Sequence, residues 1–334
     1  MAYAMFPAAE AAFQPERPDI ASYLFNHGGL SNQKMALAGL LLAGVTSHGR
    51  INLPYIHIRN QRDQVEWLAR FEDVFELGPV QNYARRYGFP VEWTLPSGER
   101  GGWPYFRTFS EYVTHAHEPD TVRALLNALA ALRPRLAATA FFSRLVDRVF
   151  SLGVHAVIQM RIEADWMGHA QSLLPRVEGK DDIAIGYEEI LRRTANTFPD
   201  LRRAYITCDE PSLPVSKEVI RQFAQQRFGI GLLWKSDLIE PAQFNPLDLS
   251  IIDFEVARRA PRFIGMSLST FANLLCMEAF TAQRRHVTGH FVYNHPGDTV
   301  RERHDNGLCL ASAEAVLPNW TDRLWEEEVL AQRT

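Results

Sequence analysis

Three hydroxyl side chains, Ser267, Ser269 and Thr270, lie between a short apolar run and the start of a predicted helix. A helix N-terminus leaves backbone N–H groups without intrahelical partners, and such groups bind phosphate together with nearby hydroxyls. Hydroxyl side chains also cap helices without binding any ligand. The sequence therefore leaves two interpretations open here, a phosphate site and a simple helix cap.

A single arginine, Arg161, directly follows the apolar run from Val154 to Met160. A guanidinium at the end of a buried strand is costly unless it meets an anion, and its planar fork suits a phosphate. The alternative is an ion pair with Glu163 or Asp165, which follow closely in the chain. Arg161 is thus a candidate either for a phosphorylated ligand or for a structural carboxylate.

The elements that would position these residues alternate regularly after Gly153. We predict strands over 154–160, 203–207, 230–233 and 262–265, and helices over 182–198, 215–228, 246–260 and 270–280. Strands that are apolar throughout indicate a parallel sheet covered by helices on both faces. The polar clusters at 159–166, 207–210 and 265–270 should then meet at the carboxyl edge of that sheet, where ligands bind.

The first half contains a second strand, turn, helix and strand unit. We predict a strand over 20–25, a turn at Gly28-Gly29, a helix over 31–45 capped by Ser31, a strand over 50–56, and helices over 119–131 and 135–150. Residues 60–118 show no periodicity and are predicted to be irregular. We place a domain boundary near Gly153, giving domains 1–152 and 153–334, with a helix over 319–332 that packs back across it.

Length and composition exclude several classes of protein. The 334 residues exceed the ~250–300 at which single cores stop growing, so two domains are expected. The net charge is −4 and no basic run occurs, which argues against nucleic-acid binding. No apolar run is long enough to span a bilayer, and the N-terminal stretch lacks the basic segment of a secretory signal. Three widely spaced cysteines, Cys208, Cys276 and Cys309, indicate a reducing, cytoplasmic location.

Three segments resemble blocks of the GDP-fucose protein O-fucosyltransferase-like family. QMRIEADW, starting at Gln159, is similar to that family's H-L-R-x-x-x-D-W segment, and GGLSNQ, starting at Gly28, resembles its G-R-F-G-N-Q turn. DFEVARRAPRFIGMSLSTF, starting at Asp253, resembles its D-x-x-x-x-x-x-A-x-x-F-I-G-x-x-x-S-S-F block. The order of the blocks is also kept. The resemblance implies an α/β fold of the GT-B type, in which two Rossmann-like domains face each other across a cleft.

The resemblance also implies roles for individual residues. Arg161 would hold the donor diphosphate, and Asn32 would reach the donor from the first domain. A general base for the acceptor hydroxyl is not evident, and Asp165, Glu163 and His27 are candidates by position. The implied catalytic set is Arg161, Asn32 and Asp165.

Donor binding is implied for a larger set that shares the three blocks. Asp253 would bind guanine, whose N1–H and amine suit a carboxylate, while Ser269 and Thr270 would contact phosphate. The full donor-binding set is Gly28, Gly29, Asn32, Arg161, Asp253, Ser267, Ser269, Thr270 and Phe271.

Three positions depart from the family pattern. Gln159 stands where the family has histidine, Gly29 where the animal enzymes carry arginine, and Met266 where an asparagine is usual. The loss of that arginine puts donor handling by the first domain in question and leaves the identity of the nucleotide sugar open.

No metal or other cofactor is predicted. The sequence has no D-x-D motif, His286 and His290 lack the glutamate of a zinc protease helix, and His115 with His117 would face opposite sides of a strand. An always-charged Arg161 would stabilise the departing diphosphate without a metal.

We therefore expect a metal-independent inverting glycosyltransferase that transfers fucose from GDP-fucose to a hydroxyl acceptor. The alternatives are a non-catalytic nucleotide-sugar-binding or regulatory protein on the same fold, and a transferase for another nucleotide sugar. Partners would be the donor and an unidentified acceptor, with no nucleic acid. Acceptor contacts are expected in residues 60–118, where Trp103 and Tyr105 offer aromatic faces.

Overall fold

A computed structural model describes residues 5–7, 20–47, 49–60, 65–93, 99–114, 119–164, 166, 168, 184–267, 269–283 and 287–303. The predictions for Asp165, His115, His117, His286, Cys309 and a helix over residues 319–332 lie outside these residues. The described chain forms two compact units. Among these residues, those up to Phe142 and Ala242–Ile251 belong to the first unit, and Ser143–Pro241 with residues 252–303 belong to the second.

The second unit is built on a sheet of six strands in the order β11-β10-β9-β12-β13-β14. The strands are β9 (Ala156–Gln159), β10 (Arg203–Thr207), β11 (Gly231–Trp234), β12 (Phe263–Gly265), β13 (His290–Val292) and β14 (Arg301–Glu302). All neighbours pair in parallel except β13 and β14, which are antiparallel. The consecutive residues Ala156, Val157 and Ile158 are all buried, so both faces of β9 are covered, as predicted.

The chain order of this sheet reverses at β9. The next strands along the chain, β10 and β11, are added on one side of β9, whereas β12 and β13 are added on the other. In doubly wound sheets such a reversal opens a crevice beyond the carboxyl ends of the two central strands. The crevice beyond β9 and β12 is therefore where this unit is expected to bind a ligand.

Helices connect these strands as the sequence predicts. They are Ala140–Ser151, Tyr187–Thr197, Lys217–Phe228, Pro246–Arg259 and Thr270–Gln283. Lys217–Phe228 shows both end signals, because the Ser216 side chain accepts a hydrogen bond from the Val219 N–H and Gly229 ends the helix with φ 68°. Strands β13 and β14 were not predicted, since runs of three and two residues leave no periodicity to detect.

The first unit contains three small sheets around a buried helix. Its strands are β1 (Met5–Pro7), β2 (Ile20–Ala21), β3 (Tyr23–Phe25), β4 (Arg50–Asn52), β5 (Ile56–Asn60), β6 (Val65–Ala69), β7 (Val91–Glu92) and β8 (Glu99–Gly101). The sheets have the orders β2-β4-β7, β3-β8 and β1-β6-β5, of which the first two are parallel and the third antiparallel. Each predicted strand of this half is thus two shorter strands in two different sheets.

The helix Leu30–Ser47 is buried on every side from Met35 to Leu42, as its apolar composition predicts. It packs against the helix Trp103–Thr114 so closely that a Cβ on Gly39 would lie 1.8 Å from the Tyr105 carbonyl oxygen. A glycine is required at this crossing because any side chain would push the two helices apart.

The expectation that residues 60–118 are irregular is wrong. This region contains β6 to β8 and the helices Phe71–Val74, Leu77–Tyr87 and Trp103–Thr114, and the helix Pro119–Ala131 follows it. In Leu77–Tyr87 the buried residues Val80, Tyr83 and Ala84 have helical spacing, so a signal was present. Pro79 argued against a helix here because proline usually ends one, but proline is tolerated in the first turn of a helix. No helix of the described chain combines the length and apolar character needed to cross a membrane.

Candidate functional site

Arg161 lies at the carboxyl end of β9, beside the chain reversal of the sheet. Its Nε is 3.5 Å from Glu163 Oε2, and its guanidinium lies over the Trp166 ring at 5.1 Å from the ring centre. About a third of the Arg161 side chain reaches solvent (30% exposed), whereas that of Glu163 is almost fully buried (1%). The ion pair and an exposed cationic surface therefore occur together, so the two interpretations of Arg161 do not exclude each other.

Glu163 joins two strand ends. Its Oε2 is the oxygen near Arg161, and its Oε1 accepts a hydrogen bond of 3.0 Å from the backbone N–H of Asp209, which follows β10. A buried carboxylate with these partners orients Arg161 and the β10 loop. Its burial makes it a poor candidate for a general base, which must reach the acceptor hydroxyl.

Two buried polar atoms lack a described hydrogen-bond partner at the carboxyl ends of β9 and β10. Gln159 and Thr207 face each other in the parallel pairing of these strands. Gln159 Nε2 donates to Ser269 Oγ at 2.9 Å, but no described residue hydrogen-bonds the buried Gln159 Oε1 or Thr207 Oγ1. Buried polar groups of this kind are rare in folded proteins, so these two oxygens are available as hydrogen-bond partners for a bound ligand.

The hydroxyl side chains of Ser267, Ser269 and Thr270, the hydroxyl cluster, differ in burial and in hydrogen-bond partners. Ser267 is buried, and it exchanges two hydrogen bonds with Asn294, from its N–H to Oδ1 and from Nδ2 to its Oγ, both at 3.0 Å. Ser269 is engaged by Gln159. Thr270 and Phe271 are half-buried in the first turn of the helix. Thr270 and the free backbone N–H groups of this turn are thus the groups with most access to an anion.

The Phe271 ring packs edge-on against Phe254 at 5.2 Å and is tilted against Phe263 at 6.1 Å. These two rings cover part of Phe271, but the residue remains half-buried. Part of its surface is therefore exposed beside the hydroxyl cluster.

Asp253 lies inside the helix Pro246–Arg259 and is almost completely buried. Its Oδ1 accepts a hydrogen bond from the Tyr205 hydroxyl at 2.8 Å, and its Oδ2 accepts one from Lys235 Nζ at 2.7 Å. Burial raises the pKa of Asp253 to about 6, against the opposing effects of Lys235 and Tyr205. The carboxyl group is therefore ionised at neutral pH but sensitive to mild acid.

Lys235 was missed by the sequence analysis. It directly follows the apolar strand β11, as Arg161 follows β9, so the same signal was available. Its Nζ also donates to the Cys208 carbonyl oxygen at 2.6 Å and lies 3.7 Å from Glu210 Oε1. Burial acts to lower the pKa of Lys235, but the negative charges of Asp253 and Glu210 and the hydrogen bond to Asp253 raise it above its usual value.

In the first unit, Gly28 has φ 106°, and a Cβ there would lie 2.7 Å from Asn32 Nδ2. The Asn32 side chain therefore packs against the glycine turn. No described residue hydrogen-bonds its buried Oδ1. Gly29 is exposed, and a Cβ on it would meet no atom within 4 Å. A larger side chain would therefore fit at position 29.

Gln33, the last residue of the GGLSNQ segment, is buried and links the Gly28-Gly29 turn to β5 by hydrogen bonds. It accepts a hydrogen bond from the His57 N–H at 2.8 Å and donates to the His57 carbonyl oxygen at 2.7 Å and to that of Gly28 at 3.1 Å. Burial lowers the pKa of His57, although Glu66 acts in the opposite direction. The sequence pattern predicts no role for Gln33 or His57.

No family model matches the chain. A segment of 135 residues is 31% identical to O-fucosyltransferase 23 of Arabidopsis thaliana, and the match covers 38% of this chain and 30% of that protein. The fold is similar to that of POFUT1 in a crystal structure with GDP, with a TM-score of 0.50, 12% identity, and coverage of 81% of this chain and 98% of that one.

The resemblance to the O-fucosyltransferase-like family is confirmed. The predicted α/β fold class is confirmed as well, since the fold is similar to that of POFUT1. The match to the Arabidopsis O-fucosyltransferase spans less than a third of that protein's length.

Proposed function

We propose that the chain is an inverting, metal-independent glycosyltransferase of the GT-B type that transfers fucose from GDP-fucose to a hydroxyl acceptor. In this proposal the second unit, predicted from the sequence as residues 153–334, binds the donor, and the first, predicted as residues 1–152, is the acceptor-side domain. The observation that carries the proposal is Arg161, a partly exposed cation at the carboxyl end of β9, next to the point where the strand order reverses.

In the proposed reaction, the bond between fucose C1 and the diphosphate oxygen breaks, and GDP departs with the bonding electrons. The acceptor oxygen forms a new bond to C1 from the opposite face, so the configuration inverts. The negative charge that develops on the diphosphate is the largest target for stabilisation, and Arg161 supplies a permanent positive charge for it. Asn32, implied by the resemblance, is proposed as a further donor contact. The acceptor proton passes to Asp165 or to the departing phosphate.

The donor is oriented by both ends of the 253–271 segment. Asp253 binds guanine with the lone pairs that Tyr205 and Lys235 leave on its oxygens. Ser269, Thr270 and the following helix N-terminus bind the diphosphate, with Ser267 supporting their loop. The unsatisfied Gln159 Oε1 lies at the same edge and supports a ligand there.

Acceptor binding is proposed near Trp103. Its side chain is 64% exposed and stacks on Phe106 with ring centres 5.3 Å apart. Such an exposed aromatic face suits a sugar ring or an apolar group. Tyr105 is half-buried, and its hydroxyl donates to the Ser22 carbonyl oxygen at 3.3 Å, so it supports the local structure more than it offers a surface. The cytoplasmic location stays a prediction.

A second candidate function is nucleotide-sugar binding without turnover. It is favoured by Gln159, which replaces the family's histidine and already holds the Ser269 hydroxyl. A transferase for a different nucleotide sugar is the third option, since Gly29 replaces the arginine of the animal enzymes.

The test is release of GDP from GDP-fucose, followed by mass spectrometry of products on an acceptor panel. We expect Arg161→Ala to lower GDP release by about 10²–10³-fold, the size of a lost electrostatic contact to a developing charge. The control is Arg227→Ala, an exposed arginine near the end of another helix, which should retain full activity.

Nucleotide binding is measured separately by thermal unfolding. A ligand at 100 times its Kd stabilises the folded state by about 2.7 kcal/mol. Stabilisation by GDP but not by UDP supports the guanine assignment, and equal stabilisation by both contradicts it. Tight GDP binding without turnover would favour the binding protein over the transferase.

A further inference from the structure

His27, His57 and Glu66 lie together in the first unit and take no part in the proposed transfer. Each offers one ligand atom, and these atoms all lie within 4.8 Å of one another. His27 follows β3, His57 is in β5 and Glu66 is in β6, so three segments contribute. We propose that these side chains bind a divalent transition metal of the zinc class.

The hairpin of β5 and β6 brings His57 and Glu66 to one face. In its register His57 pairs with Leu68 and Arg59 pairs with Glu66, so His57 and Glu66 are diagonal neighbours two residues apart. Their ligand atoms, Nε2 and Oε2, are 3.4 Å apart. Two ligands of a tetrahedral zinc ion at 2.0–2.1 Å from the metal are separated by about 3.3–3.5 Å. This pair already has the spacing that zinc requires.

The state of the His57 ring is the independent observation that points to a ligand. Its side chain is 1% exposed; no described residue hydrogen-bonds Nδ1, and Nε2 has only the 3.4 Å contact with Glu66 Oε2, which is longer than an ordinary hydrogen bond. A neutral imidazole normally uses both nitrogens, one as a donor and one as an acceptor. A metal ion between Nε2 and Glu66 Oε2 would give both atoms a partner at bonding distance.

His27 completes the set from the glycine turn. Its ring lies edge-on to that of His57, with centres 4.9 Å apart, and its side chain is exposed and able to turn toward a metal. Phe25 stacks on His57 at 5.2 Å and forms an apolar wall. Gln33 fixes the backbone of His57 from both sides and ties it to Gly28, which keeps the two histidines adjacent.

The chemistry of the ligands selects the class of metal. Two imidazoles and one carboxylate suit Zn²⁺ and its transition-metal neighbours, whereas Mg²⁺ and Ca²⁺ prefer oxygen ligands alone. Three protein ligands leave the fourth tetrahedral position for water or another oxygen donor. Arg59 Nε lies 3.7 Å from Oε1 of Glu66, so the metal takes the other oxygen, Oε2.

The experiment uses the full chain after dialysis against a chelator. Co²⁺ is added as the probe, because tetrahedral Co²⁺ absorbs strongly in the visible range, and Zn²⁺ is then titrated to displace it. We expect one bound metal per chain and a rise in Tm with Zn²⁺. Neither measurement needs donor or acceptor, so failure of this site and failure of the proposed transferase are distinguishable.

Two variants test the assignment. His27→Ala alters an exposed side chain and Glu66→Gln keeps the size of its side chain, so both should fold, as circular dichroism will confirm. Each should weaken Zn²⁺ binding at least about tenfold and abolish the rise in Tm. His155→Ala, which removes an exposed histidine of the second unit, should bind like the parent chain. Zn²⁺ affinities of both variants equal to that of the parent, or no Zn²⁺ retained by the parent, would overturn the proposal.

Discussion

The buried pair of Lys235 and Asp253 allows a quantitative test of the donor side of the molecule. The perturbation is Lys235→Met, which keeps the apolar stem but removes the charge. At the observed 2.7 Å between Nζ and Oδ2, the Coulomb attraction is about 6 kcal/mol for an effective dielectric constant of 20. Desolvation of both groups offsets much of this gain, and breaking such buried pairs typically costs about 3–5 kcal/mol. We expect the free energy of unfolding to fall by about that amount at neutral pH.

The pH dependence follows from the same pair. The pKa of Asp253 is raised from its ordinary 3.8 to about 6, so the folded state holds this proton more tightly than the unfolded state. The stability contributed by that proton is full below the ordinary pKa and is lost as pH rises through the folded pKa. Without Lys235 the folded pKa rises further, and Asp253 then becomes protonated near neutral pH. The destabilisation should therefore be largest above pH 7 and shrink toward pH 5.

The assay is urea unfolding of the parent chain, Lys235→Met and the double variant with Asp253→Asn, each at pH 5 and pH 7.5. The double variant should recover part of the loss, because it no longer buries an unpaired carboxylate. The reasoning is refuted if Lys235→Met costs less than about 1 kcal/mol at pH 7.5, or if its cost is the same at both pH values.

Three further predictions concern ligand affinity and packing. GDP affinity should fall about tenfold between pH 7 and pH 5, because Asp253 loses its charge near pH 6, and Asp253→Asn should bind weakly without this pH dependence when measured by calorimetry. Gly28→Ala should lower the free energy of unfolding by about 1–3 kcal/mol in chemical denaturation, since φ is 106° and the new Cβ would clash with the Asn32 side chain. Gly29→Ala should leave stability unchanged, and equal effects of the two substitutions would contradict this. Gly39→Ala should cost more than about 3 kcal/mol, because its Cβ would overlap a backbone oxygen of the neighbouring helix, and a Tm unchanged by the substitution would refute that packing.

Much of the second unit could be predicted from local pattern. Strands β9 to β12 are apolar runs bounded by turn residues, and the intervening helices have amphipathic spacing and recognisable ends. Strand β13 could not be predicted in this way. His290–Val292 becomes a strand because β12 offers it a parallel partner, and that partner is invisible in the sequence.

Some site residues could likewise be predicted from local pattern, and others could not. The place of Arg161 after an apolar strand marked it as a candidate, since the cost of a cation there depends only on local burial. The partner of Asp253 did not follow from spacing, because Lys235 lies 18 residues away and the two meet only when β11 and the helix Pro246–Arg259 are packed. Residues 60–118 were misjudged because short elements and prolines hid a real helical period.

The sequence by itself determined the alternation of strands and helices, the polar clusters at the strand ends and the three blocks shared with the O-fucosyltransferase-like family. These features are local, since each depends on neighbours within a few turns or strand residues. The tertiary structure alone decided which polar groups became partners. It buried Ser267 against Asn294, and it placed His57 beside Glu66 through the register of a hairpin. Hydrogen bonds and metal ligation need atoms within about 3–4 Å, and only the packed chain brings residues distant in sequence that close.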